Sequence, residues 1–298
     1  MLQLWFILAL LSAVFFALKD IAAKKWLSDS TNPKQLLFGE YFLLFSFLSI
    51  FLVSKVNFSS FADLGLLYFL KAATVGGVTI IYFSMLKKYE ISSVSPLLNL
   101  SPMVLLVFSF IFLSELLSGI QVIGIFLMIL STYYLETITH HHNKKNPHKT
   151  HFKDIISKDK SFFISTFVML ILMSFAAIFD KIILTSVDVY SNMFFTSIFI
   201  LSAMVFFNIK KITNPMLVVK KIATVPVFFV AVFSIISNFL ILFSIAIPTS
   251  LVSLIIPIRR SSTLFSSLFG GLLFHEKHLA KKVTAIIGMI LSLVLIVS

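Results

Sequence analysis

The chain has 298 residues, of which 59% are hydrophobic and only 12% are charged, and its mean hydropathy is +1.04. Soluble domains are about 45–50% apolar and about 25% charged, so this composition excludes an ordinary soluble protein and indicates a polytopic protein of the lipid bilayer. The formal net charge of +12 comes largely from lysines in short runs between apolar segments. That pattern favours a solvated rim at the membrane over a nucleic-acid partner.

Ten apolar segments follow one another along the chain, and we predict each to be a membrane-spanning helix. They are too long and too evenly apolar for barrel strands, which alternate over about 10 residues. The first segment lacks the basic start of a cleavable signal, so we expect it to be retained. The segments are residues 2–22, 36–54, 63–86, 91–113, 117–135, 161–184, 191–208, 224–246, 247–274 and 282–298.

The two halves of the chain look related. Asp20 in the first segment corresponds to Asp180 in the sixth, and a proline precedes a glutamate by nineteen positions at both 96–115 and 257–276. Five segments per half require the second half to enter the membrane from the opposite side, which predicts two inverted five-helix repeats. We therefore divide the chain into a first repeat, a basic His-containing linker and a second repeat, at residues 1–136, 137–160 and 161–298.

Two adjacent arginines lie near the middle of the ninth segment. A charge at that depth costs roughly 2.5–3.5 kcal/mol, so Arg259 and Arg260 should face a protein interior or a watery cavity. Arg260 shares a helical face with Thr263 and Ser267, and we interpret this small polar face as a substrate-binding wall. The alternative is that both arginines are structural and pair with carboxylates on other helices.

Other charges lie inside the apolar segments. Lys71 either lines the cavity, as a further substrate-binding residue, or extends its ammonium to the interface. Asp20 and Asp180 could exchange protons, but we favour structural pairing with Lys71 or the arginines, and in particular of Arg259 with one of the two.

Three glutamates lie at the ends of apolar segments. We expect Glu40 to lie at the membrane interface. Glu115 and Glu276 each end a segment just before the next one, so each should cap the free N–H groups of the helix that follows it.

The central linker contains a histidine cluster, which could bind zinc or nickel but is more typical of a solvated loop. We expect no metal and no other cofactor. No phosphate-binding loop and no nucleophile–base constellation is present in the sequence, so we expect neither direct use of ATP nor an enzyme. The cluster comprises His140, His141, His142, His148 and His151.

The lysines give the orientation. Eighteen of them lie in the linkers after the odd-numbered segments, whereas Lys55 alone lies on the opposite side. Basic loops stay in the cytoplasm, so both termini are expected outside it.

Two segments carry a resemblance to a known family: SPMVLLVFSFIFLSELLSGIQVIG at 101–124 and IPIRRSSTLFSSLFGGLLFHE at 256–276. Together with the five-plus-five pattern, they resemble the drug/metabolite transporter (DMT) superfamily, EamA type. The resemblance implies ten helices around a central cavity and alternating access without ATP. Arg259–Arg260 also resembles the basic pair in the ninth helix of the related sugar-phosphate translocators. The chain departs from the family at Glu40, near which members often carry an arginine, and in the expected side of its termini.

These features lead us to expect a secondary active transporter of a small anionic or zwitterionic metabolite. It would be an exporter in the plasma membrane, driven by a proton gradient or by counter-substrate exchange. One alternative is an exporter of amphipathic drugs or amino acids in which the arginine pair is purely structural. Another is a non-transporting membrane scaffold or sensor, whose intramembrane charges would all be paired with one another around no cavity.

Overall fold

The computed structural model describes residues 3–27, 33–88, 100–141, 160–208, 225–265 and 279–297. Within these ranges the chain is helical and contains no β-strand. The same ranges hold ten α-helices: α1 Leu4–Leu27, α2 Pro33–Phe47, α3 Ser60–Lys88, α4 Ser101–Leu113, α5 Gly119–His141, α6 Lys160–Leu184, α7 Val189–Asn208, α8 Val225–Ala246, α9 Val252–Arg260 and α10 Leu279–Val297.

The described part of the chain includes six helical segments long and apolar enough to cross a membrane by length and composition. They are Leu4–Ala23, Leu37–Lys55, Ser60–Tyr82, Phe162–Leu184, Val189–Phe206 and Val227–Ala246. Three further apolar helices are shorter, at Ser101–Leu113, Gly119–Tyr134 and Thr284–Val297. The predicted class of all-α polytopic membrane protein is confirmed, while the count of ten crossings stays a prediction.

The outer surface is strongly apolar. Ile50, Leu66 and Phe206 each expose more than two thirds of their surface. In water, a surface covered with such side chains would be costly, because transfer of apolar area out of water is the main favourable term in folding. Lipid removes that cost, so these side chains form the bilayer-facing exterior.

Helix packing follows a regular scheme across the two halves. Three helix contacts each have a counterpart in which the halves are exchanged. The α1–α8 contact corresponds to α6–α3, the α1–α9 contact to α6–α4, and the α2–α8 contact to α7–α3. α2 packs on α7 and α5 packs on α10. Exchanging α1–α5 with α6–α10 leaves this scheme unchanged, which is what inverted repeats require. Superposition of the halves by a rotation of about 180° stays a prediction.

Small residues bring α1 and α8 close together. Ala9, Ala13 and Ala17 recur every four residues on the buried face of α1. On the same face, the Ser12 hydroxyl donates to the Ser237 carbonyl at 2.9 Å, and the Ser237 hydroxyl donates to the Ser12 carbonyl at 3.0 Å. Close backbone approach and interhelical hydrogen bonds are the main sources of helix association in lipid.

The α5–α10 pair is equally close and depends on its glycines. A Cβ atom on Gly288 would lie 2.3 Å from the Ser131 hydroxyl, and one on Gly124 would lie 3.0 Å from the Ile296 backbone nitrogen. A side chain at Gly288 would require the Ser131 hydroxyl to move, and one at Gly124 would require the backbone of α10 to shift by a few tenths of an ångström.

The ninth segment differs from its prediction as one continuous helix over 247–274. Residues 247–251 are not helical, because Lys181 donates to the carbonyls of Ile245, Ile247 and Ser250 and so closes the end of α8. α9 then ends at Arg260, and helix resumes over 262–265 after a turn at Ser261.

Several predicted features lie outside the described residues. They are Ser267, Glu276, the proline at 96 and most of the basic linker, at 142–159.

Candidate functional site

A cavity of about 240 Å³ lies between the helices of the two halves. Side chains of α1, α2, α3, α4, α6, α7, α8 and α9 line it, whereas α5 and α10 contribute none of the described lining residues. Four basic and three acidic residues line it, which gives the wall a formal excess of one positive charge: Lys19, Lys71, Arg259, Arg260, Asp20, Glu40 and Asp180.

Arg260 joins α9 to the first half of the chain. Its guanidinium donates from Nε and Nη2 to the Ser101 hydroxyl on α4, at 3.2 and 2.9 Å, and from Nη2 to the Met173 sulfur on α6, at 3.8 Å. Only 9% of the residue is exposed, and that part faces the cavity. A guanidinium held in this way offers a planar set of donors to a carboxylate or phosphate.

Arg259 was expected to pair with Asp20 or Asp180, and this expectation is wrong. Its Nη2 donates to the Asn238 side-chain carbonyl at 3.1 Å and to the Ser237 hydroxyl at 3.4 Å. Its guanidinium carbon lies 4.6 Å from the centre of the Phe16 ring. Among the described residues, none accepts from its buried Nε and no carboxylate forms an ion pair with it. An amide and an aromatic face thus replace the expected carboxylate.

Lys71 forms an ion pair with Asp180 across α3 and α6. The Nζ–Oδ1 distance is 2.5 Å, and Asn192 of α7 accepts from the lysine at 2.8 Å and donates to the aspartate at 3.0 Å. Lys71 is 4% exposed, so its ammonium does not reach the interface. Of the two placements that the sequence left open, the cavity wall is the one observed, and the pair links the two halves.

Glu40 is not interfacial, contrary to the sequence-based expectation. It is 3% exposed, and its Oε1 accepts from Lys19 at 2.8 Å and from the Ser234 hydroxyl. Ser234 also accepts from the Asn238 amide at 3.3 Å. Arg259 therefore donates to Asn238, Asn238 donates to Ser234, and Ser234 donates to Glu40. This chain of hydrogen bonds connects α9, α8 and α2, and Lys19 adds α1.

Asp20 also lines the cavity, on the turn of α1 next to Lys19. Lys19 is its neighbour in sequence, so the two side chains leave the helix in different directions, and Lys19 turns to Glu40. Within the described ranges, no group hydrogen-bonds to the Asp20 carboxylate and none forms an ion pair with it.

Glu115 is a helix cap, but the expectation that it caps the next helix is wrong. Its two carboxylate oxygens accept from the backbone N–H groups of Val252 and Ser253, at 2.8 and 3.0 Å, so it caps α9 from the other half of the chain. Ser118 and Gln121 cap α5 instead, each accepting from the backbone N–H of the other.

Thr263 does not line the cavity. Its hydroxyl donates to the Arg260 carbonyl at 3.0 Å, because the turn at Ser261 ends the face that a continuous helix would have presented.

The described residues include no group of histidine, aspartate and glutamate side chains that could hold a metal ion. His142, His148 and His151 lie outside the described ranges, and the side chains of His140 and His141 are not described.

Asn192 and Asn238 are functional candidates that the sequence analysis missed. Each amide joins a charged cavity residue to another polar group. Their signal was present, because polar side chains within apolar membrane helices are rare and face the bundle interior.

Comparison with known proteins supports the fold and the family. Residues 3–137 match the model of the EamA-like transporter family. A solved structure titled "Crystal structure of protein" aligns with 96% of this chain and 95% of its own, with a TM-score of 0.71 and 12% sequence identity, and so shows the shared fold. No curated protein matches the chain in sequence. The resemblance to the DMT superfamily is confirmed through the first half of the chain.

Proposed function

We propose that this chain, whose residues 3–137 match the EamA-like transporter family of the DMT superfamily, carries a small anionic or zwitterionic metabolite through the central cavity. The observation that carries this proposal is the place of Arg260, a buried guanidinium on the wall of a cavity enclosed by both halves.

Charge supports an anionic group on the substrate. Lys71 and Lys19 are each neutralised by a carboxylate within 2.8 Å. Over the described lining as a whole, four basic residues face three acidic ones, which is an excess of one positive charge. In a cavity of low dielectric, donors on a guanidinium interact more strongly with an anion than they would in water.

Alternating access is the mechanism that this arrangement favours. The contacts Lys71–Asp180, Arg260–Ser101 and Glu115–Val252 all join one half to the other, and the first two lie on the cavity wall. Rocking of the halves against each other would expose the site to each side of the membrane in turn. The driving force is a proton gradient or exchange with a counter-substrate, with no bound cofactor.

We place the protein in the plasma membrane as an exporter, with the basic linkers in the cytoplasm and both termini outside it. A reporter enzyme fused after Ser298 is then active outside the cytoplasm, and cytoplasmic activity would reverse the orientation.

The rival functions make different predictions. A scaffold or sensor needs no cavity and pairs all its intramembrane charges, whereas Asp20 here faces a cavity without a pairing partner among the described residues. An exporter of drugs or amino acids with structural arginines is favoured by one observation, the hydrogen bonds that Arg260 makes to Ser101.

Substitution of Arg260 tests the proposal against that rival. We expect Arg260→Ala to lower uptake of anionic and zwitterionic solutes into proteoliposomes at least about 100-fold, since a hydrogen-bonded charge contributes about 1.5–3 kcal/mol per contact. Arg260→Lys should recover little, because lysine lacks the planar fork. Lys55→Ala, which removes a positive charge outside the cavity, is the matched control. Full uptake by Arg260→Ala would make the arginine structural.

A further inference from the structure

Asp20 stands apart from the other acids of the cavity. Its counterpart Asp180 meets an ammonium at 2.5 Å and an amide at 3.0 Å. Asp20 has neither kind of partner among the described residues, although it lines the same cavity. An ionised carboxylate inside a membrane protein is costly unless a positive charge or a donor meets it. The position is therefore suited to a donor that arrives from the cavity.

Glu40 adds a second free acceptor on the same wall. Its Oε1 accepts from Lys19 and Ser234, but its Oε2 is buried and has no hydrogen-bond partner among the described residues. Asp20 on α1 and Glu40 on α2 both line the cavity, so its α1–α2 side carries both carboxyl groups. This wall therefore presents more acceptors than its own donors can satisfy.

The wall formed by α9 has the opposite imbalance. The buried Nε of Arg259 has no acceptor among the described residues. Both arginines line the cavity together with Asp20, and no ion pair joins either of them to Asp20 within the described ranges. The α1–α2 side of the cavity thus carries two acids and one lysine, whereas the α9 side carries two arginines.

We propose that Asp20 and the free oxygen of Glu40 form a cation subsite, and that the substrate is a zwitterion whose ammonium group binds there while its anionic group binds at the arginine pair. An ammonium carries three donors and no acceptor, which matches a wall with unsatisfied carboxylate oxygens. The inference rests on the proposed function and narrows its substrate class from anionic or zwitterionic solutes to zwitterionic ones.

Matched pairs of solutes test the subsite. Proteoliposomes are given taurine with isethionate, phosphoethanolamine with 2-hydroxyethyl phosphate, and β-alanine with 3-hydroxypropionate. The members of each pair share a skeleton and an anionic group and differ in an amine or a hydroxyl. The readout is the ratio of the two uptake rates within a pair. In at least one pair, the wild type should prefer the amine by about tenfold or more, the factor that corresponds to about 1.4 kcal/mol.

Variants at Asp20 decide which group sets the ratio. Asp20→Asn should bring the ratio close to one, whereas Asp20→Glu, which keeps the carboxylate, should preserve the preference. Asp63→Asn is the control, because Asp63 is an exposed carboxylate in the first turn of α3 and lies outside the cavity. Thermal melts show whether each variant is folded.

Three results would overturn the subsite. A wild type that takes up the hydroxyl members as fast as the amines would leave the proposed function intact and remove the cation subsite. If Asp20→Asn leaves the ratio of amine to hydroxyl uptake unchanged, Asp20 acts in proton coupling or in stability and not in a cation subsite. The same holds if both uptake rates fall together. A wild type that takes up no member of any pair beyond protein-free liposomes would overturn the proposed function as well.

Discussion

At the scale of single residues, four charged side chains of the cavity wall are organised into two triads, each completed by a polar side chain. Lys71, Asp180 and Asn192 connect α3, α6 and α7, while Lys19, Glu40 and Ser234 connect α1, α2 and α8. Exchange of the two halves converts one set of helices into the other. The cation is on α3 in the first triad and on α1 in the second, and these two helices do not correspond under the exchange. The triads therefore lie on corresponding sets of helices but differ in which helix carries which charge.

Breaking the first triad should be strongly destabilising. Lys71→Met leaves the Asp180 carboxylate without its positive partner, and removal of one member of a buried pair costs about 3–5 kcal/mol. Unfolding in detergent should show that loss. The double variant Lys71→Met/Asp180→Leu should recover only part of it, because no charge is then left unpaired but the buried Asn192 amide loses both of its side-chain partners. If the single variant melts at the wild-type temperature, the pair does not stabilise the fold.

The residues of the site could be predicted in part. Arg259, Arg260, Lys71, Asp20 and Asp180 all line the cavity, and they were recognisable because a charge within an apolar segment must face the interior. Their partners could be predicted only in part, because pairing of Asp180 with Lys71 was among the expected contacts, whereas the amide that meets Arg259 was not. Whether a carboxylate meets a lysine, an amide or nothing depends on helix rotation and on neighbours distant in sequence.

At the scale of elements, α9 is the helix that presents the arginines, and contacts from elsewhere in the chain define its limits. Glu115 caps its first two N–H groups from the α4–α5 linker, and Ser261 turns the chain directly after Arg260. Ser114, with φ of 54°, is in the left-handed region, and this turn directs Glu115 away from α4. The sequence predicted a long helix here because composition shows apolar length but not the interruptions that distant caps produce.

Removal of the α9 cap should destabilise the protein without changing the cavity residues. Glu115→Ala leaves two buried N–H groups unsatisfied, and loss of a cap costs about 0.5–2 kcal/mol. We expect a lower melting temperature in detergent, and Leu116→Ala is the control because Leu116 is 76% exposed. Equal melting temperatures for the two variants would show that the cap is dispensable.

At the scale of the whole molecule, two five-helix halves enclose a polar cavity within an apolar exterior. The existence and order of the helices followed from apolar length alone, and the packing scheme agrees with the proposed inverted repeats. A cavity was expected from the intramembrane charges and from the family resemblance, but its shape could not be predicted, because it depends on eight helices meeting at one place. Its function as a pathway requires that water and solutes reach it from both sides of the membrane.

Access to the cavity can be measured directly, because the chain contains no cysteine and any thiol introduced is unique. Thr79 of α3 lines the cavity, whereas Phe69 of the same helix is 51% exposed on the outer surface and does not line it. A membrane-impermeant, water-soluble thiol reagent is applied to intact cells and to inside-out vesicles. The account predicts that Thr79→Cys reacts from both sides and Phe69→Cys from neither. If Thr79→Cys reacts from neither side, the cavity is closed to water and is not a transport pathway.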